Sequence, residues 1–264
     1  MSLRTIAVDW SGAVSGAARK IWLAEAAGGR IVRLENGRGR EAVADFLIGE
    51  ASRISTMVVG LDFAFSLPAW FLESRGLLDG PALWHLVTQE GEAWLAGCES
   101  PFWGRSGRGR PVLPDDLRRT DREAPATGGI RPKSVFQIGG AGAVGTGSLR
   151  GMPILKRLRD TGFAVWPFDA PRWPCVVEIY PRLLTGVVNK GSADARADYL
   201  SSRYPALGDE MRRLAASSED AFDAAVSALA MDTAREELFN LPALEDPRTR
   251  QEGQIWAPVA GLAP

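Results

Sequence analysis

Histidine and cysteine are almost absent from this chain of 264 residues: His85 stands alone, and Cys98 and Cys175 are the only thiols. The two cysteines lie far apart in sequence, and neither belongs to a Cys-x-x-Cys or a Cys/His cluster. A structural zinc site and a disulfide framework therefore find no support, and a reducing compartment suits the chain. A lone histidine is expected on a helix face rather than as a catalytic base. No apolar run approaches the ~18 residues that a membrane helix needs. Met1-Ser2-Leu3-Arg4 shows no charged leader followed by a hydrophobic stretch, so the expected location is cytoplasmic, without membrane contact. A surplus of charge of one sign is missing too. With 31 basic and 32 acidic residues the net charge is −1, so any attraction to nucleic acid has to come from a local patch.

What is present is ordinary globular material, 45% apolar and 24% charged, enough for one core without covalent staples. Thr5–Asp9 and Thr56–Asp62 are β-branched, apolar runs of the kind found in central strands buried on both faces, and Cys175–Tyr180 is a third. Lys20–Ala26 and Arg30–Glu35 flank Gly28-Gly29 and predict a hairpin. Glu41–Ile54 is amphipathic, so a parallel crossover joins the first and fourth strands. Pro68–Arg75, Pro81–Leu95, Leu149–Asp160, Ala193–Arg203, Ala206–Ala215 and Glu219–Glu236 are predicted helices. Ser134–Ile138 is a strand candidate, and Phe163–Phe168 shows strand alternation. The proline-rich tail after Leu238 is expected to wrap the surface. Residues 99–132, rich in Gly, Pro and Arg, are expected as a lid or an unstructured segment.

Asp9 and Asp62 end two strands expected to lie side by side, at the sheet edge where ligands bind in open α/β folds. A lone aspartate there can be a simple strand terminator or helix cap, but a third acid is available. In Glu219–Leu229, Phe222, Ala225, Val226 and Leu229 form one apolar arc, with Glu219, Asp220 and Asp223 along its flank. A helix start explains Glu219 and Asp220 by dipole complementarity, but Asp223 less well. Glu178, on the third strand, either joins these acids or faces solvent. Carboxylates ~4 Å apart repel by roughly 4 kcal/mol at an effective dielectric of about 20. A hard divalent cation relieves that, and an all-oxygen set suits Mg²⁺ or Mn²⁺. The expected metal ligands are Asp9, Asp62, Asp223 and Glu178, with Asp220 as the alternative to Asp223.

Several blocks together resemble a known family. AVDWSG, VVGLDFAF, KSVFQIGGAGAVGTGSLRGMPIL, VVEIYP, DAFDAAVSALA and EGQIW, spread from Asp9 to Trp256, are similar to the domain of unknown function 429 family. That group is regarded as nuclease-like with a ribonuclease H-like fold. The resemblance implies a mixed sheet with antiparallel first strands and a C-terminal helix bearing an acid. It also implies that Asp9, Asp62 and Asp220 or Asp223 match the metal-binding acids of such enzymes. The expected architecture is thus a single three-layer α/β domain over 1–264 with a mixed five-stranded sheet and an insertion over about 66–162. The expected chemistry is metal-dependent phosphodiester hydrolysis.

Other readings compete. Gly140–Gly145 fits G-x-G-x-x-G, a dinucleotide-binding pattern, but the predicted strand before it is short and no strand-end acid follows at the required distance. Asp9-Trp10-Ser11-Gly12 resembles the phosphate turn of the actin and sugar-kinase group, with Ser11 contacting a nucleotide phosphate. A ribonuclease H-like binding protein without turnover is a third reading. For nucleic acid or a nucleotide, Arg105, Arg108, Arg110, Arg118, Arg119 and Arg122 with Trp103 form a local patch able to grip phosphates and stack a base, or else a solvated loop. Lys133 and Ser134 add a possible phosphate contact beside the glycine-rich turn.

Overall fold

The computed structural model describes residues 3–259. β1 (Arg4–Asp9) is followed by α1 (Ala17–Lys20) and the hairpin β2 (Trp22–Ala27) and β3 (Arg30–Glu35). The hairpin turns on Gly28 and Gly29, both at positive φ, the conformation that a two-residue turn between twisted strands requires. α2 (Arg40–Arg53) leads to β4 (Met57–Leu61). Then come α3 (Ala69–Ser74), α4 (Gly80–Gly97), α5 (Arg119–Glu123) and α6 (Val144–Asp160). β5 (Ala164–Val165) and β6 (Cys175–Ile179) precede α7 (Pro181–Thr185), α8 (Ala193–Arg203) and α9 (Asp209–Ala216). The chain closes with α10 (Glu219–Thr233), α11 (Arg235–Phe239), α12 (Pro247–Glu252) and β7 (Ile255–Trp256).

The fold is α/β, with one mixed open sheet of seven strands. Its five longer strands run in the order β3-β2-β1-β4-β6. β2 is antiparallel to β1 and β3, while β4 and β6 run parallel to β1. Two short strands extend the five expected: β5 and β7 lie along the outer edge of β6, pairing with Cys175–Val176 and Glu178–Ile179 respectively.

Alternation within the apolar runs sorts the core into two layers. Ile6, Val8, Val59, Leu61 and Val176 face the side covered by α2, α4 and α6. Ala7, Val58, Cys175, Val177 and Ile179 face the side covered by α7 and α10. Gly60 sets how closely α10 approaches: a Cβ there would stand 2.7 Å from Met231 Sδ and 2.9 Å from Ile179 Cγ2.

Three expectations change. Ser134–Ile138 is a turn rather than a strand, because the Ser134 hydroxyl accepts from Phe136 N and its carbonyl accepts from Gln137 N. The helix predicted from Leu149 begins at Val144 and carries Pro153 in its interior. The tail does more than wrap the surface: α12 buries Glu252, which accepts from the backbone amides of Ala69 and Arg119, and β7 joins the sheet. No helix among the described residues is long and apolar enough to cross a membrane.

Candidate functional site

β1 and β4 end side by side, since the Asp62 amide donates to Val8 O and continues their ladder. This places Asp9 and Asp62 on one edge of the sheet. Ser218 caps α10 by accepting from Ala221 N, and the alanine-rich face of the helix lies against β1 and β2. Asp223, one turn into the helix, thereby joins the two strand-end acids. Burial raises the Asp9 carboxyl well above its usual range, and the charges of Asp62, Asp223 and Asp220 raise it further. Burial, then Asp223, pushes Asp62 up to about 8. Asp223 is raised by burial, against the pull of Lys190. Asp220 is raised by burial and then by Glu219, its neighbour in the first turn, and stands at the periphery of the group.

One cation already sits among these acids. Lys190 Nζ donates to both carboxylate oxygens of Asp223, at 2.8 and 2.6 Å, and its charge lowers the carboxyls of Asp9 and Asp62. Among the described residues no three His, Cys, Asp or Glu side chains close to metal-ligating spacing. The donor set nevertheless fits a hard divalent cation: it is all oxygen, its acids repel one another, and a lysine ammonium already offsets part of the surplus.

A cavity of about 260 Å³ adjoins Asp62, lined by Trp10, Gly12, Lys133, Gly147, Glu178 and Tyr180 among others. Its wall includes the start of α6, whose first turn carries neither an acidic residue nor a side-chain cap; Gly145 N donates to Gln137 O, and the helix dipole gives this end positive potential. Gly12 lies directly against that turn; a Cβ there would be 2.5 Å from Gly147 N. Lys133 is exposed at the cavity and donates to Ala141 O at 3.1 Å. The glycine-rich segment leads into α6 from a turn rather than from a strand, so the dinucleotide pattern lacks its structural context.

Several predicted contacts are otherwise engaged. Ser134 is buried and its hydroxyl closes a turn, while Ser11 Oγ accepts from Ala13 N at 3.3 Å. Glu178 is buried, not solvated. Its oxygens accept from Arg118 Nη2 at 2.5 Å, from Arg118 Nη1 at 2.8 Å and from Phe65 N at 2.9 Å. Arg118 also donates through Nε and Nη2 to Asp121, and only 1% of its surface is exposed. Burial works against its proton, but Asp121 and Glu178 outweigh that and keep the guanidinium charged. Arg118 thus anchors the Arg/Gly segment to β6 instead of offering a phosphate contact.

Arg110, Arg119 and Arg122 pair with Asp116, Asp246 and Asp115, and Arg110 lies over the Trp103 ring. Arg105 and Arg108 are exposed on the segment and do not line the cavity. His85 is exposed on α4, as expected.

The residues missed from sequence are Lys190, Arg118 as an internal anchor, and Trp10 and Tyr180 in the cavity wall. Lys190 precedes Gly191 in a short connection between helices, a place with no motif to mark it. No protein-family model, curated protein or solved structure matches the chain.

Proposed function

We propose that the chain is a metal-dependent phosphodiester hydrolase of nuclease-like character, built on a ribonuclease H-like sheet. The observation that carries this reading is the meeting of Asp9, Asp62 and Asp223, from two adjacent parallel strand ends and a packed helix, close enough for Asp62 and Asp223 to raise the Asp9 carboxyl and for Asp223 to raise that of Asp62. The reading is supported by the mixed sheet, the antiparallel β2 and the acid on α10, features that the family resemblance implies.

Asp9, Asp62 and Asp223 would hold Mg²⁺ or Mn²⁺. Such an ion supplies a water that is nucleophilic near neutral pH and positive charge for the phosphoryl oxygens. Glu178 stays with Arg118 and braces the site from β6. The first turn of α6 and Lys133 attract a substrate phosphate into the cavity, as uncapped helix starts attract anions. Trp10 and Tyr180 give that cavity an apolar wall on which a base or sugar can rest.

The test combines Mn²⁺ titration with cleavage of linear and cyclic DNA and RNA oligonucleotides, with and without ion. Asp9→Asn is expected to abolish ion binding and cleavage while leaving the far-UV circular dichroism unchanged. A wild-type protein that binds neither ion and cuts none of these substrates would overturn the proposal.

A further inference from the structure

Among the described residues Lys190 is the cation hydrogen-bonded to the carboxylate group, while Arg182 acts on Asp223 by its charge, and the connection that carries Lys190 is held in place. It lies between α7 and α8, in a connection held at two points, Lys190 O and Val188 O, by arginines of the flanking helices. Arg196 Nη1 donates to the Lys190 carbonyl, and Arg196 Nε donates to Ala216 O at 2.9 Å. Arg182 Nη1 donates to Val188 O at 3.1 Å. Arg196 is itself buried, so the connection is fastened to the body of the protein rather than to solvent-facing side chains. From this base the lysine reaches Asp223 with both oxygens in range. The side chains are only 10% and 14% exposed, which puts the pair in a setting where charge interactions are weakly screened.

An ammonium has three donors and no acceptor, and two donors are spent on Asp223. While that geometry persists, each Asp223 oxygen already accepts a charged hydrogen bond, which weakens it as a ligand for an ion. A divalent cation drawn to Asp9 and Asp62 would also meet the ammonium as a like charge at close range. Ion binding and the Lys190–Asp223 pair therefore compete for the same carboxylate.

Resting on the divalent-cation reading given above, we propose that Lys190 is a built-in counter-cation that competes with the ion for Asp223. It neutralises the cluster in the ion-free protein and sets the ion concentration at which the cluster fills. On ion binding its ammonium is released toward the site.

Two measurements test this. Mn²⁺ binding is followed by the electron paramagnetic resonance of the free ion for wild type, Lys190→Met and Lys190→Arg. Lys190→Met is expected to bind at least about tenfold more tightly, the size of effect that close charge pairs produce. Lys190→Arg, which keeps the charge, is expected to stay near wild type. Binding by Lys190→Met that equals or falls below wild type overturns the competition.

The second measurement needs no variant. Acetylation of the wild-type protein by acetic anhydride is read at Lys190 by peptide mass spectrometry, and saturating Mg²⁺ is expected to raise it several-fold. Unchanged labelling overturns the release. Wild type that binds Mn²⁺ with no gain in Lys190→Met refutes this proposal alone. Absence of binding in both proteins, with Lys190 equally protected with and without Mg²⁺, refutes the metal reading with it.

Discussion

Replacing Arg118 by methionine removes the charge that holds two buried carboxylates. Arg118 donates to Asp121 at 3.0 and 2.8 Å, to Glu178 at 2.8 and 2.5 Å, and to the carbonyl of Glu252 at 3.2 Å. Glu178 and Asp121 are themselves buried, so neither gains water when the guanidinium goes. Breaking one buried ion pair costs about 3–5 kcal/mol, and two carboxylates orphaned together put the expected loss at the upper end, about 5 kcal/mol. At about 2–4 °C per kcal/mol for a chain of this size, the melting temperature falls by roughly 10–20 °C.

The deficit depends on pH. Burial already raises Glu178 with Arg118 in place, so without Arg118 it takes a proton more readily, and the variant is closer to wild type at pH 5 than at pH 8. Urea unfolding followed by far-UV circular dichroism measures both effects. Arg118→Met combined with Asp121→Asn and Glu178→Gln is expected to recover most of the loss, because no unpaired charge remains. Arg122→Met is the control; its pair with Asp115 is partly exposed and should cost less than about 1 kcal/mol. A loss under about 1 kcal/mol for Arg118→Met, or a triple variant no better than the single one, refutes the account of Arg118 as an anchor.

The ion-free protein should lose stability as pH rises from the ordinary carboxylate range toward about 8, since folded Asp62 keeps its proton through that window and unfolded Asp62 does not. Asp9→Asn should therefore melt higher than wild type at pH 8 without ion, with a smaller gap at pH 5; the reverse order in calorimetry counts against the acid cluster. Gly12→Ala sets a Cβ 2.5 Å from Gly147 N and 2.6 Å from Thr146 C, which are backbone atoms with little room to yield. It should cost about 1–3 kcal/mol in denaturant melts and lower cleavage by shifting α6 from the cavity. Arg105→Ala with Arg108→Ala should leave stability within about 0.5 kcal/mol. If the segment meets nucleic acid, the double variant also flattens the salt dependence of oligonucleotide binding by about one to two in slope, as filter binding would show.

The parts of the fold legible in the sequence are those whose pattern is decided locally. β4 is an unbroken apolar run, β1 is apolar over Ile6–Val8 and β6 is interrupted only by Glu178, because helices cover both faces of the sheet, and the Gly28-Gly29 turn identifies the hairpin by itself. Ser134–Ile138 has strand-like composition, but its serine hydroxyl offers the backbone a competing local partner, and the turn wins. β7 is two residues long and exists only because β6 presents an open edge, a condition set far away in the chain. The Arg/Gly segment misleads for a related reason. Composition counts the arginines as a patch, whereas in the fold Arg110 and Arg122 pair with nearby Asp116 and Asp115, and Arg118 and Arg119 also reach Glu178 and Asp246 far along the chain.

The candidate site divides along the same line. Asp9 and Asp62 are legible because a strand end in an open sheet is a position with a known fate, and Asp223 because its place beside an apolar arc fixes which way α10 must turn it. Asp220 shares that flank but falls in the first turn, where Glu219 is its nearest influence, so helical phase alone cannot rank it below Asp223; the depth to which α10 is buried does. Lys190 has no phase, run or motif behind it, and its role follows from the charge balance. Three half-buried acids in one place favour positive charge beside them, and it comes from a lysine carried in from a neighbouring connection, with Arg182 adding to it. An acidic cluster read from sequence is therefore incomplete until its counter-charge is found, and here that counter-charge holds both oxygens of Asp223, a carboxylate that an incoming ion would need.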